Sequence, residues 1–132
     1  TSDDGPGSLR QALECVSPMD TIFFSAAIAG DTIDLTALKV FYIDKNVVLL
    51  NNNAQPVIIR SPADYVMTVT AESVVQMKNI HIQSYGEEKV CLMNFGNITV
   101  ENSEFFTVNQ DKARINNEGM GKINFKGTSR VR

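Results

Sequence analysis

The chain has 132 residues, 43% of them hydrophobic and 20% charged, with a net charge of −3. This length allows one domain with a real core, and the composition is globular rather than disordered. No apolar run is long enough to span a bilayer, and the scattered Lys and Arg residues form no basic patch for nucleic acid. We therefore expect residues 1–132 to form a single domain or a fragment of one, without membrane insertion or a nucleic-acid partner.

The first predicted element is a short amphipathic helix over about residues 8–16. Its apolar side chains recur at the spacing of one helical face, at Leu9, Ala12, Leu13 and Val16. Ser8 is placed to accept from the backbone N–H of Gln11, whose side chain would return to the N–H of Ser8, as in a capping box. Pro18 then ends the helix.

After Pro18 the pattern changes to short β-rich runs, such as residues 21–24 and 32–35. Turn-forming residues separate the later runs, at positions 51–53, 61–62 and 84–86. No second helical period is present, so we expect strands over about residues 20–132.

A five-residue pattern of apolar, any, apolar, any and turn former repeats along the chain. The copies lie at residues 48–52, 75–79, 98–102 and 123–127, with a weaker one at 57–61. The four turn formers are separated by 27, 23 and 25 residues, a period typical of solenoids. The pattern predicts coils that stack on one another.

Each part of the pattern has a physical reason. Alternate side chains of a strand share a face, so the apolar positions would form an inward column. Asn and Gly readily adopt the left-handed backbone that turns a corner, and Asn52, Asn79 and Asn102 would form a side-chain ladder. The outward row would alternate in charge through Lys78, Glu101 and Lys126. These features favour an all-β, right-handed parallel β-helix over a β-sandwich, which needs no turn former at a fixed offset.

The opening Gly-Pro-Gly-Ser-Leu-Arg-Gln-Ala-Leu at residues 5–13 resembles the start of β-helix repeat domains in secreted bacterial surface proteins, which include predicted adhesins. Residues 20–24, 31–36, 57–84 and 92–105 are similar to successive coils of that family. The resemblance implies that the N-terminal helix plugs one end of the solenoid. The chain departs from the family at Phe95 and at residues 120–122, which puts the register of the last coil in question.

Catalytic chemistry has weak support in the sequence. Some β-helix proteins act on acidic polysaccharides through clustered carboxylates, but the acidic pairs here read as solvated charges: Asp31 with Asp34, Glu87 with Glu88, and Glu101 with Glu104. His81 is predicted to lie on the surface, because strand alternation points it away from its apolar neighbours Ile80 and Ile82. Metal binding is not favoured, because the sequence has no second histidine to share a metal. Arg10 and Arg60 are not marked as catalytic cations. We expect no catalytic residues, no metal site and no cofactor.

Two further residue sets remain open. Five aromatic residues would form a sugar-stacking or protein-contact patch only if they emerged on one face, and core packing or isolated surface positions are favoured: Tyr42, Tyr65, Tyr85, Phe95 and Phe106. Cys15 and Cys91 read as small buried hydrophobes. A disulfide between them requires the two positions to meet in space.

The function that these features favour is a non-enzymatic segment of a secreted or cell-surface bacterial protein that presents a binding surface to a polysaccharide or another cell-surface ligand. One alternative is the N-terminal part of a polysaccharide lyase or glycoside hydrolase. Another is an interaction module that uses an open end of the solenoid. Few residues follow Gly127 to cover the last coil, so we expect truncation, a partner or self-association at that end.

Overall fold

A computed structural model of the chain describes residues 7–35, 40–108 and 112–132. In these ranges it has one α-helix, α1 (Leu9–Cys15), a 3₁₀ turn (Ala26–Ile28) and fourteen strands. The first two turns contain β1 (Thr21–Phe23), β2 (Thr32–Asp34), β3 (Phe41–Ile43), β4 (Val47–Leu50), β5 (Val57–Ser61) and β6 (Tyr65–Val69). The next two contain β7 (Val74–Lys78), β8 (Ile80–Ser84), β9 (Val90–Asn94), β10 (Asn97–Glu101), β11 (Glu104–Thr107) and β12 (Arg114–Asn117). A fifth turn begins with β13 (Lys122–Lys126) and β14 (Arg130–Val131).

Each strand pairs in parallel with the strand three places along the chain. Sheet A has the order β1-β4-β7-β10-β13, sheet B the order β2-β5-β8-β11-β14, and sheet C the order β3-β6-β9-β12. The described strands that follow one another in sequence belong to different sheets. The chain is therefore a parallel β-solenoid. This confirms the β-helix prediction and excludes the β-sandwich, whose neighbouring strands are antiparallel.

The N-terminal helix forms as predicted and packs on the first turn. The Ser8 hydroxyl accepts from the Gln11 backbone N–H at 3.1 Å, while the Gln11 side chain accepts from Gly7 at 3.0 Å instead of from Ser8. Leu9 and Leu13 are buried in the common hydrophobic core. The Arg10 guanidinium lies 4.9 Å from the ring centre of Phe41 in β3. Residues 5, 6 and 36 of the family resemblance lie outside the described ranges.

The core consists of columns of inward side chains that run from turn to turn. Two columns come from sheet A: Val47, Val75, Ile98 and Ile123, then Leu49, Met77, Val100 and Phe125. All except Ile123 and Phe125 of the last turn are buried. Burying one such side chain is worth about 1.5–3 kcal/mol, and a single turn cannot bury it without its neighbours.

The corner after sheet A follows the predicted pattern in three turns and departs from it in one. Asn79, Asn102 and Gly127 adopt left-handed backbone angles, with φ values of 55°, 49° and 60°. The register places Asn51 beside Asn79, so the prediction of Asn52 in this file is wrong by one residue. Residues 47–50 are four consecutive apolar residues, and such a run does not indicate which of them point inward.

The predicted ladder of hydrogen bonds between the side chains of the corner asparagines is also wrong, because these side chains bond to the main chain. The Asn51 amide donates to the main-chain oxygen of Asn79 at 3.0 Å, and the Asn79 amide to that of Asn53 at 2.7 Å. A direct amide contact occurs instead at the corner between sheets C and A, where Asn94 donates to Asn117 at 2.8 Å. Residues 57–61 form β5 of sheet B and are not a copy of the sheet A pattern.

The outward row of sheet A carries the alternating charges that the sequence predicted. Lys78, Glu101 and Lys126 stack in register, and the Lys78 ammonium lies 3.9 Å from the Glu101 carboxylate.

The irregular residues 120–122 do not disturb the register of the last coil, because β13 pairs with β10 over five residues. A Cβ on Gly121 would lie 2.6 Å from the Asn94 carbonyl oxygen, so this corner needs glycine.

The two cysteines are free and differ in exposure. Cys91 is buried, as predicted, and its burial raises the pKa of the thiol to about 12. Cys15 is exposed near the end of α1, so its assignment to the core is wrong. Among the described residues, no helix has the length and apolar character required to cross a membrane.

We predict that Asn79→Ala lowers the free energy of unfolding by about 1–3 kcal/mol. The substitution removes a hydrogen bond and forces a residue with an ordinary Cβ into the left-handed region. Asn52→Ala is the matched control, because Asn52 is exposed and lies outside the corner file, and its effect should stay within about 0.5 kcal/mol. Urea unfolding measures both values, and equal losses would contradict the observed register.

Candidate functional site

The outward surface of sheet B carries a set of charged and aromatic side chains that contact one another across the turns. Two columns of outward residues run across the turns. One contains Ile58, His81, Glu104 and Arg130, and the other contains Asp34, Arg60, Gln83, Phe106 and Arg132. We call these residues, together with Tyr85 at the end of β8, the sheet B face. Because successive turns lie about 4.8 Å apart, the columns hold their side chains at a regular spacing.

One half of the sheet B face is a cluster of Asp34, Arg60 and Tyr85 from three successive turns. Two nitrogens of Arg60 lie 2.8 and 2.6 Å from Oδ2 of Asp34. The Tyr85 hydroxyl donates to the other carboxylate oxygen at 2.9 Å, and the Arg60 guanidinium lies 5.6 Å from the tyrosine ring centre. Desolvation and the hydrogen bond to Asp34 raise the pKa of Tyr85. The tyrosine therefore crosses the second turn and ties the third turn to the first.

The other half of the face is centred on Glu104. Two nitrogens of Arg130 lie 2.7 and 2.6 Å from one carboxylate oxygen, and two of Arg132 each lie 2.9 Å from the other. Arg132 also lies 4.8 Å from the ring centre of Phe106. The Glu104 side chain is only 15% exposed, so the expectation of a solvated charge is wrong for this residue. Burial opposes its ionisation, but the two guanidinium groups outweigh that effect and lower its pKa.

His81 lies between the two halves. Its ring points outward, as the alternation of Ile80 and Ile82 predicted, and contacts Phe106 edge to face at 6.2 Å between ring centres. Desolvation lowers its pKa despite the opposing charge of Glu104, and Arg132 and Arg130 lower it further. The ring therefore favours its neutral form in the folded chain.

The other acidic residues considered from the sequence do not join this face. Glu101 lies on the outward surface of sheet A beside Lys78, and Glu88 lies 3.5 Å from Arg114. Asp31 precedes β2, and Glu87 is exposed in the turn after β8. The described ranges contain no group of three or more His, Cys, Asp or Glu side chains able to hold a metal ion.

The five aromatic residues considered from the sequence do not form one patch. Tyr85 and Phe106 share the sheet B face, whereas Tyr42 and Tyr65 lie on strands of sheet C and Phe95 lies at the corner after β9. Sequence reasoning missed Arg130 and Arg132 as partners of Glu104. The charge alternation at Lys78, Glu101 and Lys126 was the available signal, because Arg130 follows Glu104 by 26 residues, close to the repeat period.

The arrangement is chemically suited to recognition. Guanidinium groups, a phenol, an imidazole and carboxylates present planar donors and acceptors on a rigid sheet. Glu104 carries two guanidinium groups, so that end of the face has an excess of positive charge. Both carboxylates on the face already accept charged hydrogen bonds, which orients the arginines, and the side chains of Arg60 and Arg130 remain 42% and 61% exposed.

Comparison of the chain with protein-family models, with curated proteins and with solved structures found no match.

We predict that acid destabilises the fold in two steps. Because the folded state lowers the pKa of His81, stability falls as the pH drops below 6.5, the value of a free histidine. Because the folded state also lowers the pKa of Glu104, the stability from its ion pairs is present above pH 4.5 and is lost as the pH falls further.

Thermal unfolding at a series of pH values measures both steps. His81→Gln should remove the first step and leave the second, and Glu104→Gln should reduce the second. The assignment is contradicted if both variants retain the pH profile of the unmodified chain.

Proposed function

We propose that this chain is a non-enzymatic β-solenoid segment of a secreted or cell-surface bacterial protein, and that the sheet B face is its binding surface. The observation that carries the proposal is the alignment of Asp34, Arg60, Tyr85, His81 and the Glu104 cluster on one sheet. The secreted and bacterial assignment rests on the resemblance of residues 5–13 and of the later coils to surface-protein repeats.

The ligand that we propose is a polysaccharide or another extended cell-surface ligand. A column of side chains parallel to the solenoid axis holds its groups at a regular spacing over several turns, which suits an extended ligand that crosses those turns. Planar guanidinium and aromatic groups pack on sugar rings and bond to hydroxyl or carboxylate groups. The side chains are ordered before binding by their mutual ion pairs, which reduces the entropy cost of association.

The enzyme alternative needs a carboxylate able to exchange a proton or hold a cation at the reacting bond. On the sheet B face, Asp34 and Glu104 are paired with arginines, and the lowered pKa of Glu104 opposes a role as a general acid near neutral pH. Paired carboxylates of this kind support the binding proposal. The purified chain should therefore release no unsaturated sugars from pectin or alginate in the presence of Ca²⁺, and sustained release would overturn the proposal.

We predict that Arg60→Gln combined with Arg132→Gln weakens binding to a polysaccharide array by about tenfold or more, because both halves of the face lose a guanidinium group. The matched control is Lys78→Gln combined with Lys126→Gln. It removes the same number of charges from the outward surface of sheet A and should leave binding unchanged. Retained binding in the arginine variant with loss in the lysine variant would move the site to sheet A.

A further inference from the structure

The corner between sheets C and A contains a cleft at its third turn. Four residues join the strands of this corner in the second turn, 70–73, and four in the fourth turn, 118–121, whereas only Phe95 and Gly96 join β9 to β10 in the third. The shorter corner leaves a cleft of about 480 Å³ between the two longer ones, and we call it the corner notch. Its floor is Phe95 and Gly96, and its walls are Ala71, Glu72, Gly119 and Met120.

Both walls of the corner notch are closed β-turns. In one wall the Ser73 N–H donates to the Thr70 carbonyl oxygen at 3.2 Å, and the hydroxyl oxygens of these two residues lie 2.9 Å apart. In the other wall the Gly121 N–H donates to the Glu118 carbonyl oxygen at 2.9 Å, and Gly119 has a left-handed φ of 57°. The walls lie two turns apart, about 10 Å, which is room for one extended chain or one large side chain.

The floor residue Phe95 has a neighbouring turn on each side. Its N–H donates to the Val69 carbonyl oxygen of the second turn at 2.9 Å. The Glu118 N–H of the fourth turn donates to the carbonyl oxygen of Asn94, the residue before Phe95, at 2.8 Å. The Phe95 side chain is still 40% exposed. Its exposure therefore results from the unequal lengths of the corners and not from either end of the chain.

The main chain at the floor of the notch is already hydrogen-bonded. The Gly96 N–H donates to the Asn94 side-chain oxygen at 3.2 Å, and the Gly96 carbonyl oxygen accepts from the Lys122 N–H at 2.8 Å. The Asn97 N–H donates to the Ser73 carbonyl oxygen at 2.9 Å. A sugar needs hydrogen-bond partners for its hydroxyl groups, whereas an apolar side chain is stabilised by covering the exposed ring. The floor therefore favours an apolar occupant.

The walls of the notch carry two carboxylates. Glu72 and Glu118 are exposed on opposite walls, and Lys122 lies at the end next to sheet A. Within the described ranges, neither carboxylate takes part in an ion pair. Glu72 also has a left-handed φ of 68°, a conformation in which glycine or asparagine is less strained. A cation is the favourable neighbour for carboxylates placed on both sides of a narrow cleft.

We propose that the corner notch binds a segment of another protein in which an apolar side chain lies beside a lysine or arginine. The apolar side chain fills the space over Phe95, and the cation pairs with Glu72 or Glu118. The unequal corners, the exposed ring and the two carboxylates support the same occupant. The inference goes beyond the proposed function and does not depend on a ligand at the sheet B face.

The test uses the isotope-labelled chain and three soluble synthetic peptides, because an NMR titration detects weak binding and locates it. The first peptide is centred on Lys-Leu-Arg, the second on Lys-Ser-Arg and the third on Glu-Leu-Glu. The first should shift the amide signals of Glu72, Gly96 and Gly119 in a saturable manner. The second lacks the apolar anchor and the third lacks the cations, so each should bind at least about tenfold more weakly.

Glu72→Gln combined with Glu118→Gln tests the charged walls. This variant should bind the Lys-Leu-Arg peptide about fivefold more weakly, because the cation loses both of its partners. The matched control is Glu14→Gln combined with Glu87→Gln. It removes the same number of exposed carboxylates from other parts of the surface and should leave binding unchanged. All four side chains are exposed, so the fold should tolerate both variants.

Phe95→Ser tests the apolar floor, and Tyr42→Ser is its matched control. Both aromatic side chains are exposed, by 40% and 64%, but Tyr42 lies on β3 and does not line the notch. Phe95→Ser should weaken binding at least about tenfold, and Tyr42→Ser should leave it unchanged. Thermal unfolding checks that both variants are folded.

Three results would overturn the proposal. The first is equal binding of the three peptides. The second is unchanged binding of the Lys-Leu-Arg peptide by the variant without Glu72 and Glu118, or by folded Phe95→Ser. The third is sedimentation showing a stable dimer of the chain that Phe95→Ser dissociates, because a second copy would then occupy the notch. Failure of polysaccharide binding at the sheet B face would leave this proposal standing, since the peptide assay does not involve that face.

Discussion

Parallel stacking of successive turns in register is the constraint on which the other features of this structure depend. Each inward side chain of one turn rests on its counterpart in the next, so Val75, Ile98 and the other column residues are buried only because their neighbours are present. The corners maintain that register. Left-handed residues at Asn79, Asn102 and Gly127 bend the chain at matching points, and Gly121 allows close backbone approach at another corner. A solenoid of this kind has no core without repetition.

The same register that builds the core also arranges the outward surface. Residues separated by about one turn in sequence become lateral neighbours, so Glu104 meets Arg130 and Lys78 meets Glu101. Contacts can also cross more than one turn, as the bond from Tyr85 to Asp34 does. The sheet B face is thus a consequence of the same repeat, because the register aligns its polar side chains from turn to turn.

Features that depend only on period and local chemistry could be predicted from the sequence. The helix cap at Ser8 follows from a spacing of three residues, and the burial of alternate residues in β7 and β10 follows from a spacing of two. The charge row through Glu101 follows from the repeat of about 25 residues. Features that depend on which residues of an apolar run point inward, or on how far a side chain extends, could not be predicted. The apolar run at 47–50 hid the correct corner at Asn51, and the contact of Tyr85 with Asp34 spans 51 residues and depends on how a side chain lies across a strand.

The most direct test of the stacked register is the set of inter-strand nuclear Overhauser effects in the 132-residue chain. The structure requires contacts that link Gln76 to Thr99 and Thr99 to Asn124, with Asn51 adjacent to Asn79 at the corner. Strands next to each other in sequence, such as β7 and β8, should show no ladder of contacts between them. An antiparallel ladder between β7 and β8, with none between Gln76 and Thr99, would contradict the solenoid and everything inferred from it.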